Sequence, residues 1–178
     1  MNENAGSRRP GLTIYHPNGK GSGCAVVFAL HPAHDDTAGS IMLTLANQKT
    51  VGDVRTSQYP TVDWENKMTV RLDFPDLCKI LQVLRGECES IDDGRGLYHS
   101  IKKCSTRISF RHVTEPCQGY ALEVHRTYSE TKAGVGARIM FTPAESLGLT
   151  EAISASMPLV AFGIPMVIPR RDPTEQRS

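Results

Sequence analysis

Gly39-Ser-Ile-Met-Leu-Thr-Leu-Ala-Asn-Gln48, Tyr59-Pro-Thr-Val-Asp-Trp-Glu-Asn-Lys67, Met68-Thr-Val-Arg-Leu-Asp73 and Pro75-Asp-Leu-Cys-Lys-Ile-Leu-Gln-Val-Leu-Arg85 read as strand, loop, strand and helix in succession. Ile41, Leu43 and Leu45 alternate in the first strand, and Met68, Val70 and Leu72 in the second, so each has one apolar face. Lys67, Thr69 and Arg71 then point the other way, with Trp64 close by. Asp73 is a helix N-cap, and Pro75 sits at the start of the helix, where its missing N–H costs nothing. Leu77, Ile80, Leu81 and Leu84 form one stripe, which Gly86 ends. A sheet with one face on a helix and the other offering cations and an aromatic ring suits gripping a nucleic-acid strand.

Working outward, Leu12–His16 and Gly23–His31 are two earlier strands, the second with Cys24, Val26, Phe28 and Leu30 on one face and small residues on the other. The stretch from Gln48 to Pro60 is a polar loop, and Glu87–Gly96 an acidic one. The order then repeats. Leu97–Ile101, Cys104–Val113, Tyr120–Tyr128 and Val135–Phe141 alternate as strands, and Thr142-Pro-Ala-Glu145 is a capping box that starts a second helix. That helix carries Leu147, Leu149, Ile153 and Met157 and meets Pro158, which should kink it. The fold class is α+β: two antiparallel four-stranded sheets with two main helices, ββββα repeated twice. Residues 10–165 read as a single domain between polar tails at 1–9 and 166–178.

Composition bounds the function. The chain has 178 residues, 39% of them hydrophobic and 22% charged, with a net charge of +1. That is ordinary for a globular protein and low for one that binds phosphates, so a basic site must come from local clustering. No apolar run approaches the ~20 residues that span a bilayer, and no apolar signal core is present at the start. The expected setting is intracellular, the cytoplasm or nucleoid of a bacterium or else an organelle. The five cysteines form no C-x-x-C pair, which argues for free thiols and against a zinc site or disulfide framework. Neither a metal nor another cofactor is expected.

Tyr59-Pro-Thr-Val-Asp-Trp-Glu-Asn-Lys-Met68, Gly96-Leu-Tyr-His99, Gln118-Gly-Tyr-Ala-Leu-Glu-Val124, Phe141-Thr-Pro-Ala-Glu-Ser-Leu-Gly148 and Ala155-Ser-Met-Pro-Leu-Val-Ala-Phe-Gly163 together resemble the Whirly single-stranded-DNA-binding proteins. The aspartate-tryptophan pair before a strand, the aromatic-histidine step after the first helix, and a final helix broken by proline and ended by glycine occur in the same order. The resemblance implies helices packed between and behind two sheets, protomers that assemble through their helices, commonly as tetramers, and DNA held over the sheets with little sequence discrimination. The kinetoplastid mitochondrial guide-RNA-binding proteins share the fold, so RNA is the alternative ligand. One segment departs from the pattern: the plant Lys-Gly-Lys-Ala-Ala-Leu-Ser stretch is Lys20-Gly-Ser-Gly-Cys-Ala-Val-Val here.

Alternation selects the candidate contacts. Ile108 and Phe110 face the core, which turns Arg107, Ser109 and Arg111 outward; Ala137, Ile139 and Phe141 do the same for Arg138. With Lys67 and Arg71 they make a basic stripe across two sheets that neutralises phosphates. Tyr59, Trp64 and Tyr98 are the candidate stacking platforms, although Trp64 serves equally well as an anchor. Lys102 and Lys103 form an adjacent pair that attracts nucleic acid or simply solvates a turn. His99 and His125 suit contact with phosphate or bases, but a hydrogen-bonded structural role is the stronger reading of both; Phe28 and Phe110 read as core, and Asp92-Asp93 as an acidic boundary to the basic surface. Gly19-Lys-Gly-Ser-Gly23 lacks the Gly-Lys-Ser/Thr ending of a phosphate loop and is followed by a strand. No order of residues specifies a catalytic site. The reading is a non-catalytic, oligomeric, single-stranded nucleic-acid-binding protein, with a protein-interaction scaffold as the rival.

Overall fold

The computed structural model describes residues 11–34, 36–53, 55–115 and 117–163. The two polar tails expected from the sequence lie outside the described residues. The first half contains β1 (Gly11–His16), β2 (Cys24–His31), β3 (Ser40–Thr50), β4 (Thr61–Val62), β5 (Met68–Leu72) and α1 (Phe74–Leu84). A single 3-10 turn, Ile91–Gly94, leads into β6 (Leu97–Ile101), β7 (Cys104–Val113), β8 (Gly119–Tyr128), β9 (Gly134–Phe141) and α2 (Pro143–Phe162).

Both sheets are antiparallel. In the first, β1, β2, β3 and β5 lie side by side, and the two-residue β4 pairs with the far end of β3. In the second, the order is β6-β7-β8-β9. The sequence reading omits β4 and ends β3 at Gln48, because a polar residue interrupts the apolar alternation there. Gln48 is nevertheless buried. Its Oε1 accepts from the backbone N–H groups of Asn18 and Gly23, at 2.9 and 3.1 Å, and its Nε2 donates to the carbonyls of Asn18 and Thr50. A buried amide so fully paired costs little, and β3 runs on past it through a bulge to Thr50, whose hydroxyl meets that of Thr61 at 2.8 Å.

Both helix starts follow the sequence. Asp73 and Asp76 cap α1 reciprocally, as Thr142 and Glu145 cap α2. The acidic partner in each box is also held by a histidine from the other half of the chain. His99 of β6 lies 3.0 Å from Asp76, and His16 of β1 lies 2.7 Å from Glu145. The first strand of each half thus braces the helix of the other. Burial pushes the Asp76 carboxyl up, against the pull of His99 and of the Asp73 N–H. Burial also acts to raise Glu145, but hydrogen bonds from Thr142 and His16 outweigh it and the net shift is downward.

One core joins both sheets and both helices. α1 packs on α2 and β7, while α2 touches β2, β8 and β9. Phe141 links the layers, with its ring centroid 6.3 Å from Phe28 and 6.2 Å from Phe110. Leu149, Ile153 and Val160 are the buried apolar residues of α2. Leu147, expected among them, is 66% exposed. Ser146 takes its place on the inner face, its hydroxyl donating to the Thr142 carbonyl at 2.8 Å. The helix runs on past Pro158 to Phe162 and stops at Gly163, whose φ is +78°. None of the described helices is long and apolar enough to cross a membrane.

Candidate nucleic-acid interface

Strand register assembles the outward face of the second sheet row by row. One row runs Tyr98, Arg107, His125 and Gly136 across β6, β7, β8 and β9. The next runs Ser109, Glu123 and Arg138, and a third runs Arg111, Ala121 and Met140. Arg107, Arg111 and Arg138 are exposed, as their alternation with Ile108, Phe110 and Ile139 requires. Three arginines and Tyr98 therefore share one surface.

Their electrostatic states differ. Glu123 lies between two of them: Arg111 Nη2 and Arg138 Nε approach the same oxygen, Oε1, at 3.5 and 3.4 Å. Both pairs are open to solvent, so each is worth only about 0–1 kcal/mol. They nevertheless offset part of the positive charge an incoming phosphate would meet. Arg107 has no ion pair or side-chain hydrogen bond among the described residues, and its guanidinium stands free. Beside it opens a groove of about 430 Å³ lined by Ser22, Asn47, Arg107, Ser109, Glu123, His125 and Arg138, among others. Asn47 of β3 closes one wall by donating to the Gly136 carbonyl at 3.0 Å, which joins the two sheets there.

The first sheet holds the other cations. Arg71 is exposed on β5, but its Nη2 donates to the Ala38 carbonyl at 2.7 Å. Lys67 lies in the turn before β5, exposed and unpaired among the described residues. Thr69, next to it in the outward direction, shares a 3.1 Å hydrogen bond with Thr44. Trp64 is 41% exposed and Tyr59 87% exposed. Tyr59 borders a cleft of about 500 Å³ between the Pro17–Gly19 turn and residues 51–53 and 57–60. Lys49 is paired with Glu65 at 3.4 Å, so the acid beside Trp64 also offsets a cation. Lys102 and Lys103 are the two residues of the hairpin turn between β6 and β7, and both are exposed. The structure thus gathers Tyr98, Arg107, Arg111 and Arg138 on one sheet and leaves Lys67, Arg71, Trp64 and Tyr59 on or beside the other.

Two residues do more than strand alternation alone suggests. Arg126 alternates onto the inner side of β8, where its Nε donates to Thr106 Oγ1 at 3.1 Å and its Nη2 to the Thr69 carbonyl at 2.7 Å. This buried-side arginine ties the second sheet to β5 of the first. His125 and His99 also part company: His99 is the helix brace described above, while His125 is exposed on the outward row. Among the described residues no three His, Cys, Asp or Glu side chains gather to hold a metal ion. Asp92 is held by Lys79 at 2.7 Å.

No protein-family model matches the chain, and no curated protein matches it by sequence. Solved structures do match it. WHY1 from Arabidopsis thaliana superposes with a TM-score of 0.69 at 16% identity, over 86% of this chain and 85% of that one. The plant transcriptional regulator PBF-2 gives 0.64 at 17% identity, over 85% of this chain and 81% of its own. A guide-RNA-binding protein complex bound to its guide RNA gives 0.53 at 16% identity, over 85% and 91%. With two antiparallel sheets, a capped helix closing each half, and these superpositions, the chain has the Whirly-like fold, shared with WHY1, with PBF-2 and with the guide-RNA-binding complex.

Proposed function

We propose that this protein is a non-catalytic single-stranded nucleic-acid-binding protein, with low sequence specificity and DNA as its ligand. The observation that carries the reading is the second-sheet surface on which Arg107, Arg111, Arg138 and Tyr98 occupy three adjoining rows, facing away from the core. The guanidinium groups take phosphates, which makes affinity fall with salt, and the exposed ring stacks bases without reading them. Lys67, Arg71, Trp64 and Tyr59 extend the surface on the first sheet, with Lys102 and Lys103 at its hairpin edge. Assembly into a homo-oligomer such as a tetramer sets several such faces side by side and raises avidity through effective concentration. Work on DNA maintenance or transcription suits a ligand bound in this way.

RNA is the second reading, supported by the superposition on a complex that holds a guide RNA. A scaffold without a nucleic-acid ligand is the third, supported by Glu123 offsetting two of the three arginines and by a net charge of +1. Fluorescence anisotropy with labelled ~30-nucleotide single-stranded DNA, single-stranded RNA and duplex DNA, at two salt concentrations, separates the three. Salt-sensitive binding to single-stranded DNA above the other two is the expected result. Preference for RNA selects the second reading, and no binding by the folded protein selects the third.

A further inference from the structure

Of the six histidines in the chain, five have partners: His16 with Glu145, His99 with Asp76, His112 with Glu89 and the Tyr120 ring, and His31 and His34 with other groups. His125 has none among the described residues, and it is exposed. Its ring is nonetheless placed. A Cβ on Gly134 would fall 2.9 Å from His125 Nε2 and 3.0 Å from Cε1, and one on Gly136 would fall 3.5 Å from Cδ2. The imidazole fills the space that a side chain at 134 would occupy and sits at contact distance from position 136, lying against the backbone of β9. Two glycines in one strand sacrifice cross-strand packing, and here the ring covers them.

We infer that His125 is a base-stacking platform, paired with Tyr98 across the free guanidinium of Arg107. The inference deepens the proposed function and rests on it. Tyr98, Arg107 and His125 occupy consecutive strands in one row, and all three are exposed and without hydrogen-bond or ionic partners among the described residues. Strands lie about 4.8 Å apart, so the backbones at Tyr98 and His125 stand roughly 10 Å from each other with that of Arg107 midway, and the His125 ring leans outward over β9. That order, ring, cation, ring, fits two neighbouring bases, one on each ring, and the phosphate between them on Arg107. The groove beside His125 supplies the room, and Ser109 and Ser22 supply hydroxyls along its wall. Stacking of this kind tolerates every base, since each has a π-face.

The test compares the intact protein with His125→Ala, His125→Phe and Arg107→Ala by anisotropy. The probes are labelled oligothymidine and an abasic oligonucleotide with the same number of phosphates. The expected result is a loss of about fivefold or more on oligothymidine for His125→Ala, near-full affinity for His125→Phe, and no difference between His125→Ala and the intact protein on the abasic strand. The salt slope stays unchanged in His125→Ala and becomes shallower by about 0.7 in Arg107→Ala. If His125→Ala binds oligothymidine as the intact protein does, the stacking role is wrong while the proposed function stands. An equal loss on both probes assigns His125 to phosphate contact or to holding β9, and also overturns it; His125→Phe separates those two, since a ring without nitrogens still covers the glycines. If the intact protein binds neither probe, the proposed function itself fails.

Discussion

Glu123→Gln isolates the electrostatics of the proposed surface. The substitution keeps the shape of the side chain and removes the one negative charge set between Arg111 and Arg138, whose nitrogens lie 3.5 and 3.4 Å from Oε1. A phosphate docked on either arginine, a further ~3 Å out, lies about 7 Å from that carboxylate. The repulsion at this distance is about 0.6 kcal/mol at the dielectric of water and about 2 kcal/mol at an effective constant of 20. Screening over a Debye length of about 8 Å reduces either figure by more than half. Removing the charge should therefore strengthen binding by about 0.3–1 kcal/mol, a gain of roughly two- to fivefold. The salt slope should steepen by about 0.7 for each phosphate newly engaged. The loss to the folded state is small, since the two pairs are exposed and worth about 0–1 kcal/mol each. Anisotropy titrations with labelled oligothymidine at low and physiological salt measure both numbers, and a melting curve checks the fold. Weaker binding by a fully folded variant would refute the reasoning, because it would make Glu123 a ligand contact. Unchanged affinity and slope would place the phosphates elsewhere.

Replacing Arg107 and Arg111 together with alanine should weaken binding to all sequences alike and flatten the slope by about 0.7 for each phosphate no longer neutralised, since phosphate contacts carry no sequence code; a change in sequence preference instead would count against the stripe. Ile153→Ala, at a position 1% exposed, should cost about 2–4 kcal/mol in urea denaturation. Leu147→Glu, on the exposed side of the same helix, should move stability by no more than about 0.5 kcal/mol, and its mass in solution tells whether that side holds protomers together. Glu145, held below the ordinary carboxylate range, contributes stability that is present above that range and lost as pH falls through its lowered value. The urea midpoints of Glu145→Gln and the intact protein should therefore converge on acidification. Asp76 runs the other way: its carboxyl is raised by burial, so the intact protein loses stability as pH rises through that window, and Asp76→Asn should gain on it over the same interval.

Much of the fold was legible because it rests on local rules. The alternation of Met68, Val70 and Leu72 set the inner face of β5, and reading Ile108 and Phe110 as inward correctly turned Arg107 and Arg111 outward. The two capping boxes announced both helices, since the groups that satisfy the first N–H groups lie within four residues of each other. Where a polar side chain is satisfied by something distant in the chain, the local rules misled. Gln48 looked like the end of a strand, and its four hydrogen-bond partners come mostly from the turn near residues 18–23. In α2 the apolar pattern misled for a different, local reason: Leu147 is exposed and Ser146 buried, its hydroxyl satisfied within its own helix by the Thr142 carbonyl.

The candidate site divides in the same way. Which residues face outward is a period-2 property of each strand, and the sequence by itself determined it for Arg107, Arg111, Arg138, Thr69 and Arg71. Which outward residues meet is a property of register between strands, and only the tertiary structure decided it. Register brought Glu123 between two arginines, freed Arg107, and set His125 beside it on two glycines. Packing of the layers gave the inward-facing Arg126 a carbonyl of the other sheet to bind, and gave each helix a histidine from the opposite half. Such pairings join residues far apart along the chain, through hydrogen bonds and charges whose energies depend on distance in space and leave no periodic trace in the sequence.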